Sequence, residues 1–259
     1  MHRTGRSGAQ VRHAASPAYD VDLDAVRAAI TPKTRLLLIN SPHNPTGKVL
    51  DEAELSGIAR LAVEHDLVVV TDEVYEHLTF DGVATSRSSP PTTGCGTEPS
   101  SSPRAARPST PPDGRWVGAV APNRSWRQFA AKQFLTYVGS GPFQPATVGL
   151  RLPDSYFERL ASDLQSKRDR LFDGLVAAGF EAFRPSGTYF ITADIRPIQP
   201  DGDGRSFCAS LPERCGVVAI PNEVFYADRA AGRHLVRFAF CKRDEVIDEA
   251  VIRLKGMTR

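Results

Sequence analysis

Asp72 and Tyr75 sit where side chains do chemistry. Both close the run LVVVTDEVY (67–75). Its four leading apolar residues do not alternate with polar ones, which predicts a strand buried on both faces in a parallel sheet covered by helices. Ligands collect beyond the carboxyl ends of such strands. A carboxylate at the mouth of an apolar sheet is costly to bury without a partner, and a cationic ring nitrogen would be one. Two further residues stand out. Asn44 lies in the loop NSPHNPTG (40–47), and Arg237 lies in the strand LVRFAF (235–240). In that strand Val236, Phe238 and Phe240 share one face, so Arg237 points to the other.

The elements that must position these residues follow from local signals. Asp22 is predicted to cap a helix over 23–30, and LLLI (36–39) is a short buried strand. It runs into a loop that two X-Pro steps and Gly47 make tight. Asp51 is predicted to cap a helix to about residue 65, with Leu55, Ile58, Ala59 and Ala62 on one face. Strand, loop, helix and strand make a right-handed βαβ unit. Its first loop and the end of its second strand share one edge of the sheet, so Asn44 and Asp72 are expected to be neighbours.

Residues 83–125 differ sharply. They hold eight of the 20 prolines and many Ser, Thr, Gly and Arg, with no leucine, isoleucine or lysine. No element with a continuous apolar face can be built from them, and so long a structureless stretch is unusual inside a domain. Apolar patterning returns at Phe129. A long helix is predicted after Pro153, with Phe157, Leu160, Leu164, Leu171 and Leu175 on its apolar face, ending near Gly179. Strands over 188–193, 217–220 and 235–240 and helices over 205–214 and 244–254 complete an α+β unit.

Composition excludes several classes. The net charge of +2 gives no basic field for nucleic acid. No apolar run approaches the roughly 18 residues of a membrane span. The basic N-terminus lacks the apolar core of a secretory signal. The four cysteines show no CxxC spacing and read as reduced thiols, not a metal site. A cytoplasmic protein is expected.

Five segments together resemble the class I/II aminotransferases of the fold type I pyridoxal-phosphate (PLP) enzymes. They are SPHNPTG (41–47), TDEVYEHLTFDG (71–82), KQFLTYVGSGPFQPA (132–146), SGTYFITADIRP (186–197) and HLVRFAFCKRDEV (234–246), in family order. The resemblance implies an α/β fold, with a three-layer αβα large domain around a mainly parallel sheet and a small α+β C-terminal domain. It implies that Asp72 pairs with the cofactor's pyridinium nitrogen and that Tyr75 and Asn44 bond its 3-oxygen. Arg237, beside Asn44, would bind the substrate carboxylate as a bidentate fork. It also implies a homodimer with residues 137–143 near the interface, acting on an amino acid and a 2-oxo acid. Within the family the motifs look closest to the kynurenine/methionine and N-succinyldiaminopimelate aminotransferases, the latter preferred. From the residues alone other roles stay open. Asn44 could fix a turn, Asp72 cap local amides, Tyr75 serve as a sheet-edge aromatic and Arg237 pair with a surface acid.

The chain departs from the family in two places. The family uses a Schiff-base lysine a few tens of residues after the Asp/Tyr strand, but no lysine occurs between Lys48 and Lys132. Lys132 belongs to a segment that matches a helix beyond the site, so no catalytic residue is assigned. The Gly/Ala-rich helix start that cups the cofactor phosphate is also absent upstream of Tyr19, as expected of a truncated relative. The organisation expected is therefore a disordered leader (1–17), a partial PLP-binding large domain (18–82) and a low-complexity segment (83–127). A returning large-domain and interface segment (128–152) and the small domain (153–259) follow. The composition of 83–127, and of the leader, suits out-of-frame translation of GC-rich DNA. The function expected is an aminotransferase by descent, defective for lack of the lysine. The alternatives are a cysteine-S-conjugate β-lyase of the same fold or a non-catalytic remnant.

Overall fold

The structure, a computed structural model, describes residues 19–83 and 151–257. The first stretch begins with α1 (Leu23–Ala29), capped by Asp22, whose carboxylate accepts from the Ala25 amide at 2.9 Å. Strand β1 (Leu36–Asn40) follows, then α2 (Glu52–Glu64), then β2 (Val68–Asp72). Helix α2 starts with a reciprocal capping box: the Glu54 amide donates to Asp51 and the Asp51 amide to Glu54, each at 2.8 Å. Glu54 also accepts from the Val21 amide, tying the entry to α1 onto α2. Gly57 lets the two helices close, since a Cβ there would stand 2.2 Å from a Leu23 methyl.

Strands β1 and β2 pair in parallel, Leu36 opposite Val68 through Asn40 opposite Asp72, as the βαβ pattern predicts. The expectation that β2 is buried on both faces is not met. All five of its residues are exposed, Val68 at 61%, and Leu38 on β1 is 71% exposed. A lone βαβ unit supplies one helical layer at most, and no second layer stands over this pair among the described residues.

The second stretch opens with α3 (Asp154–Ala177), which carries the predicted leucine face and stops where Gly179 takes a positive φ of 91°. Then come β3 (Glu181–Phe183), β4 (Phe190–Asp194), α4 (Gly204–Cys215), β5 (Ile220–Pro221), β6 (Leu235–Ala239) and α5 (Asp244–Met257). The strands form an antiparallel sheet in the order β3-β4-β6-β5. Strand β3 is too short to leave a periodic signal. The strand predicted over 217–220 pairs only at Ile220 and Pro221, because the left-handed Gly216 precedes it and a 3-10 turn (Asn222–Phe225) ends it.

One face of this sheet packs on the helices, with Ile191, Val236, Phe238, Leu175, Phe207, Leu211, Ile247 and Leu254 in one core. The other face meets the first stretch. Ser186 and Gly187 amides both donate to the Gly47 carbonyl, Phe80 donates to Ser186, and Thr188 to Leu78. Gly47 has φ +74° and no room for a side chain, since a Cβ would stand 2.3 Å from that of Pro185. Arg168, its side chain fully buried, forks onto Asp81 at 2.6 and 2.9 Å and donates to the Pro185 carbonyl. The loop after β1 is thereby pressed against β4, which is buried along its whole length.

Candidate active site

The loop after β1 is built from its own polar groups. The Asn40 amide nitrogen and the Ser41 backbone N–H both donate to the Asp72 carbonyl, at 2.9 and 3.1 Å. The Asn40 side-chain oxygen accepts from the Asn44 backbone N–H at 2.9 Å. Ser41 Oγ accepts from the Leu50 amide, and His43 Nδ1 meets Thr46 Oγ1 at 2.8 Å. The peptide bonds preceding Pro42 and Pro45 are both cis. Asn44 is thus linked to the end of β2 through Asn40, on the shared sheet edge that the βαβ pattern predicts.

Across the seam, Arg237 Nη1 donates to Asn44 Oδ1, joining residues 193 positions apart. The guanidinium carbon lies 4.0 Å from the centre of the Phe190 ring and 4.5 Å from that of Phe225. Aromatic faces at that distance attract the cation and hold its plane. Arg237 is almost wholly buried. Burial draws it below the usual range of a guanidinium, and Tyr75 and Tyr189 work the other way. Tyr75 meets Tyr189 and Phe190 edge to face, with ring centres 5.5 and 6.3 Å apart.

Asp72 is exposed at the end of β2, and one carboxylate oxygen accepts from the Val74 amide at 3.3 Å. The local-amide role left open by the sequence is therefore present, and the second carboxylate oxygen is not used by that contact. The structure places Asn44, Arg237 and Tyr75 in one cluster, with Asp72 joined to it through Asn40. Lys48 follows the loop closely but is held charged. Burial opposes that charge, and the bonds to Asp20 at 2.9 Å and Glu54 at 3.2 Å outweigh it, raising its pKa. Lys132 and residues 137–143 lie outside the described residues.

Three histidines near these segments have structural partners: Thr46 for His43, the Phe157 ring for His77 and the Gly202 carbonyl for His234. No cluster that could hold a metal occurs among the described residues. Phe190, Phe225, Thr192 and Asn222 were not singled out from the sequence. Only the alternation that puts Thr192 on the face opposite Ile191 and Ala193 could have flagged any of them.

A family model described as "Aminotransferase class I and II" matches residues 4–95 and 114–254. The unmatched interval, 96–113, lies inside the compositionally odd segment, and the match begins within residues 1–17. The probable N-succinyldiaminopimelate aminotransferase DapC of Mycobacterium tuberculosis (strain CDC 1551 / Oshkosh) is 45% identical over 249 residues, 91% of this chain and 62% of its own. The kynurenine–oxoglutarate transaminase of Dictyostelium discoideum is 31% identical over 276 residues, 95% of this chain and 62% of its own. The solved structure of N-succinyldiaminopimelate aminotransferase from M. tuberculosis superposes with a TM-score of 0.78 at 40% identity, over 93% of this chain and 63% of that one. The chain therefore spans about three fifths of the length of the relatives it matches.

Proposed function

The chain belongs to the class I and II aminotransferase family, and on that premise we propose that it carries the substrate-binding and ring-binding half of a PLP-dependent aminotransferase site. The fold is that of the fold type I enzymes, represented among the described residues by one parallel βαβ unit and the α+β unit. The observation that carries the proposal is the Arg237–Asn44 bond across the seam, near Tyr75 and linked through Asn40 to the end of β2.

The residues present fit the cofactor's ring. Asn44 gives its carbonyl oxygen to Arg237, which leaves its amide N–H groups for an acceptor such as the ring 3-oxygen. Tyr75 would share that oxygen. Asp72 has an oxygen beyond its local amide contact that could pair with a protonated ring nitrogen. When bound, the cofactor would supply a cationic ring able to take up electron density from the substrate. Arg237 would hold the substrate carboxylate through its remaining in-plane N–H groups, and the Phe190 and Phe225 rings would keep the guanidinium plane fixed. Transfer of the amino group from an amino acid to a 2-oxo acid also needs a lysine base. None stands free at this site among the described residues, and Lys48 is engaged by two carboxylates.

The chain is accordingly read as a defective aminotransferase. Its relation to the M. tuberculosis protein favours N-succinyldiaminopimelate over kynurenine as the ancestral amino donor, and a homodimer is the assembly that the family resemblance implies. The absence of lysine between Lys48 and Lys132 favours a non-catalytic remnant as the second reading. Incubation with PLP and borohydride, followed by peptide mapping, is expected to give no adduct concentrated on one lysine. 2-Oxoglutarate should still perturb the Arg237 side-chain signals in NMR. A single labelled lysine would overturn the reading of a defective site, and no response to 2-oxoglutarate would overturn the assignment of Arg237.

A further inference from the structure

The bond between Asn44 and Arg237 joins two stretches that nothing in their local sequence brings together, so something must set their separation. The residue after Asn44 supplies the contact. The Pro45 carbonyl accepts from the Thr192 hydroxyl at 3.4 Å. Thr192 lies directly opposite Arg237 in the antiparallel β4–β6 register, so both side chains leave the same face of the sheet. Ile220 on β5 is the other neighbour of Arg237 in that row, and Asn222 follows two residues later.

Thr192 and Asn222 are both fully buried. A hydroxyl has one proton and two lone pairs. Asn222 Nδ2 donates to Thr192 Oγ1 at 3.1 Å, filling one lone pair. That contact leaves the one proton of Thr192 for the Pro45 carbonyl, to which it donates. Asn222 does this at a cost, because its own Oδ1 is buried with no hydrogen-bond partner among the described residues. An apolar side chain would fill the position without that penalty.

We propose that Thr192 is a positioning residue. It ties the Pro45 carbonyl to the sheet and so sets Asn44 against Arg237, and Asn222 orients the hydroxyl that makes the tie. The proposal rests on the reading of Arg237 as the carboxylate-binding residue.

The test uses the whole chain and three variants: Thr192→Val, which keeps the shape and removes the hydroxyl, Thr192→Ser, which restores it, and Asn222→Leu. Amide hydrogen exchange is read at His43 and Gly47, whose N–H groups bond within the loop, and at Thr192 and Val236 in the sheet. 2-Oxoglutarate affinity is read by NMR titration. Losing one buried hydrogen bond predicts about tenfold faster exchange at the loop amides and about tenfold weaker binding for Thr192→Val, with sheet amides unchanged. Thr192→Ser should return both to near the parent values. Asn222→Leu should give a smaller loss in the same direction, and it carries the test should Thr192→Val fail to fold. Loop exchange and affinity equal to the parent in the variants would overturn the proposal while leaving Arg237 as a carboxylate ligand. No binding by the parent chain would overturn the reading of Arg237 and the proposal with it.

Discussion

Strands β2 and β4 have the same length and nearly the same pattern, VVVTD and FITAD, each ending in aspartate. Their environments are opposite. Every residue of β2 is exposed and every residue of β4 is buried. The difference lies in what covers them. Strand β4 has helices against one face and the loop after β1 against the other, whereas no second layer stands over β2 among the described residues. The terminal acids diverge in the same way. Asp194, nearly fully buried, accepts from the Arg196 backbone and is forked by its guanidinium. Asp72 has one local amide at 3.3 Å. An acid saturated by its neighbours is a structural group, and an acid left with an accessible oxygen can serve a ligand.

The largest effect should come from the covered side. Leu175 on α3 is fully buried in the core behind β4. Leu175→Ala removes packed methyl groups that helix and sheet cannot close over, so a loss of roughly 2–5 kcal/mol is expected in urea unfolding. A loss below about 1 kcal/mol would mean that the α+β unit repacks freely, and the contrast with β2 would weaken.

The seam between the two stretches should respond less. Arg168→Met keeps most of the buried stem and removes the fork to Asp81 and the bond to Pro185. Asp81, and Asp169, which accepts from Arg168 Nε at 2.8 Å, are partly exposed and rehydrate, so the expected loss is about 2 kcal/mol, below that of a closed buried pair. The same pair sets a pH dependence. The hydrogen bond from Arg168 holds the Asp81 carboxyl below the usual carboxylate range, and burial opposes it weakly. A depressed folded-state value stabilises above the unfolded value near 3.8 and the gain is lost as the pH falls through the folded one. Acidification below about pH 4 should therefore destabilise the parent chain more steeply than Arg168→Met. Parallel acid profiles would remove Asp81 from the seam.

How much of this was legible depended on where each signal was stored. The caps at Asp22 and Asp51 and the βαβ order are local, and they read directly. The face of Arg237 followed from the alternation of Val236, Phe238 and Phe240. The segments 41–47, 71–82 and 234–246 pointed to the family because they recur together. The exposure of β2 was not legible, because an unbroken apolar run looks the same whether or not layers cover it. Thr192 and Asn222 were hidden for another reason. Their contacts arise from strand register and from a 3-10 turn after a two-residue strand, neither of which has a periodic signature.

The smallest effect probes the uncovered strand itself. Val68→Thr exchanges a methyl for a hydroxyl at nearly constant shape, and the position is 61% exposed. In a strand covered on both faces that hydroxyl would lose water without gaining a partner, at about 1–3 kcal/mol. On an exposed strand it stays hydrated, and threonine suits a pleated surface nearly as well as valine. The expected change in the unfolding midpoint corresponds to less than about 0.5 kcal/mol. A cost near that of a buried hydroxyl would show that the faces of β2 are covered in solution. The contrast with β4 would then vanish, and the first expectation for LVVVTDEVY would hold after all.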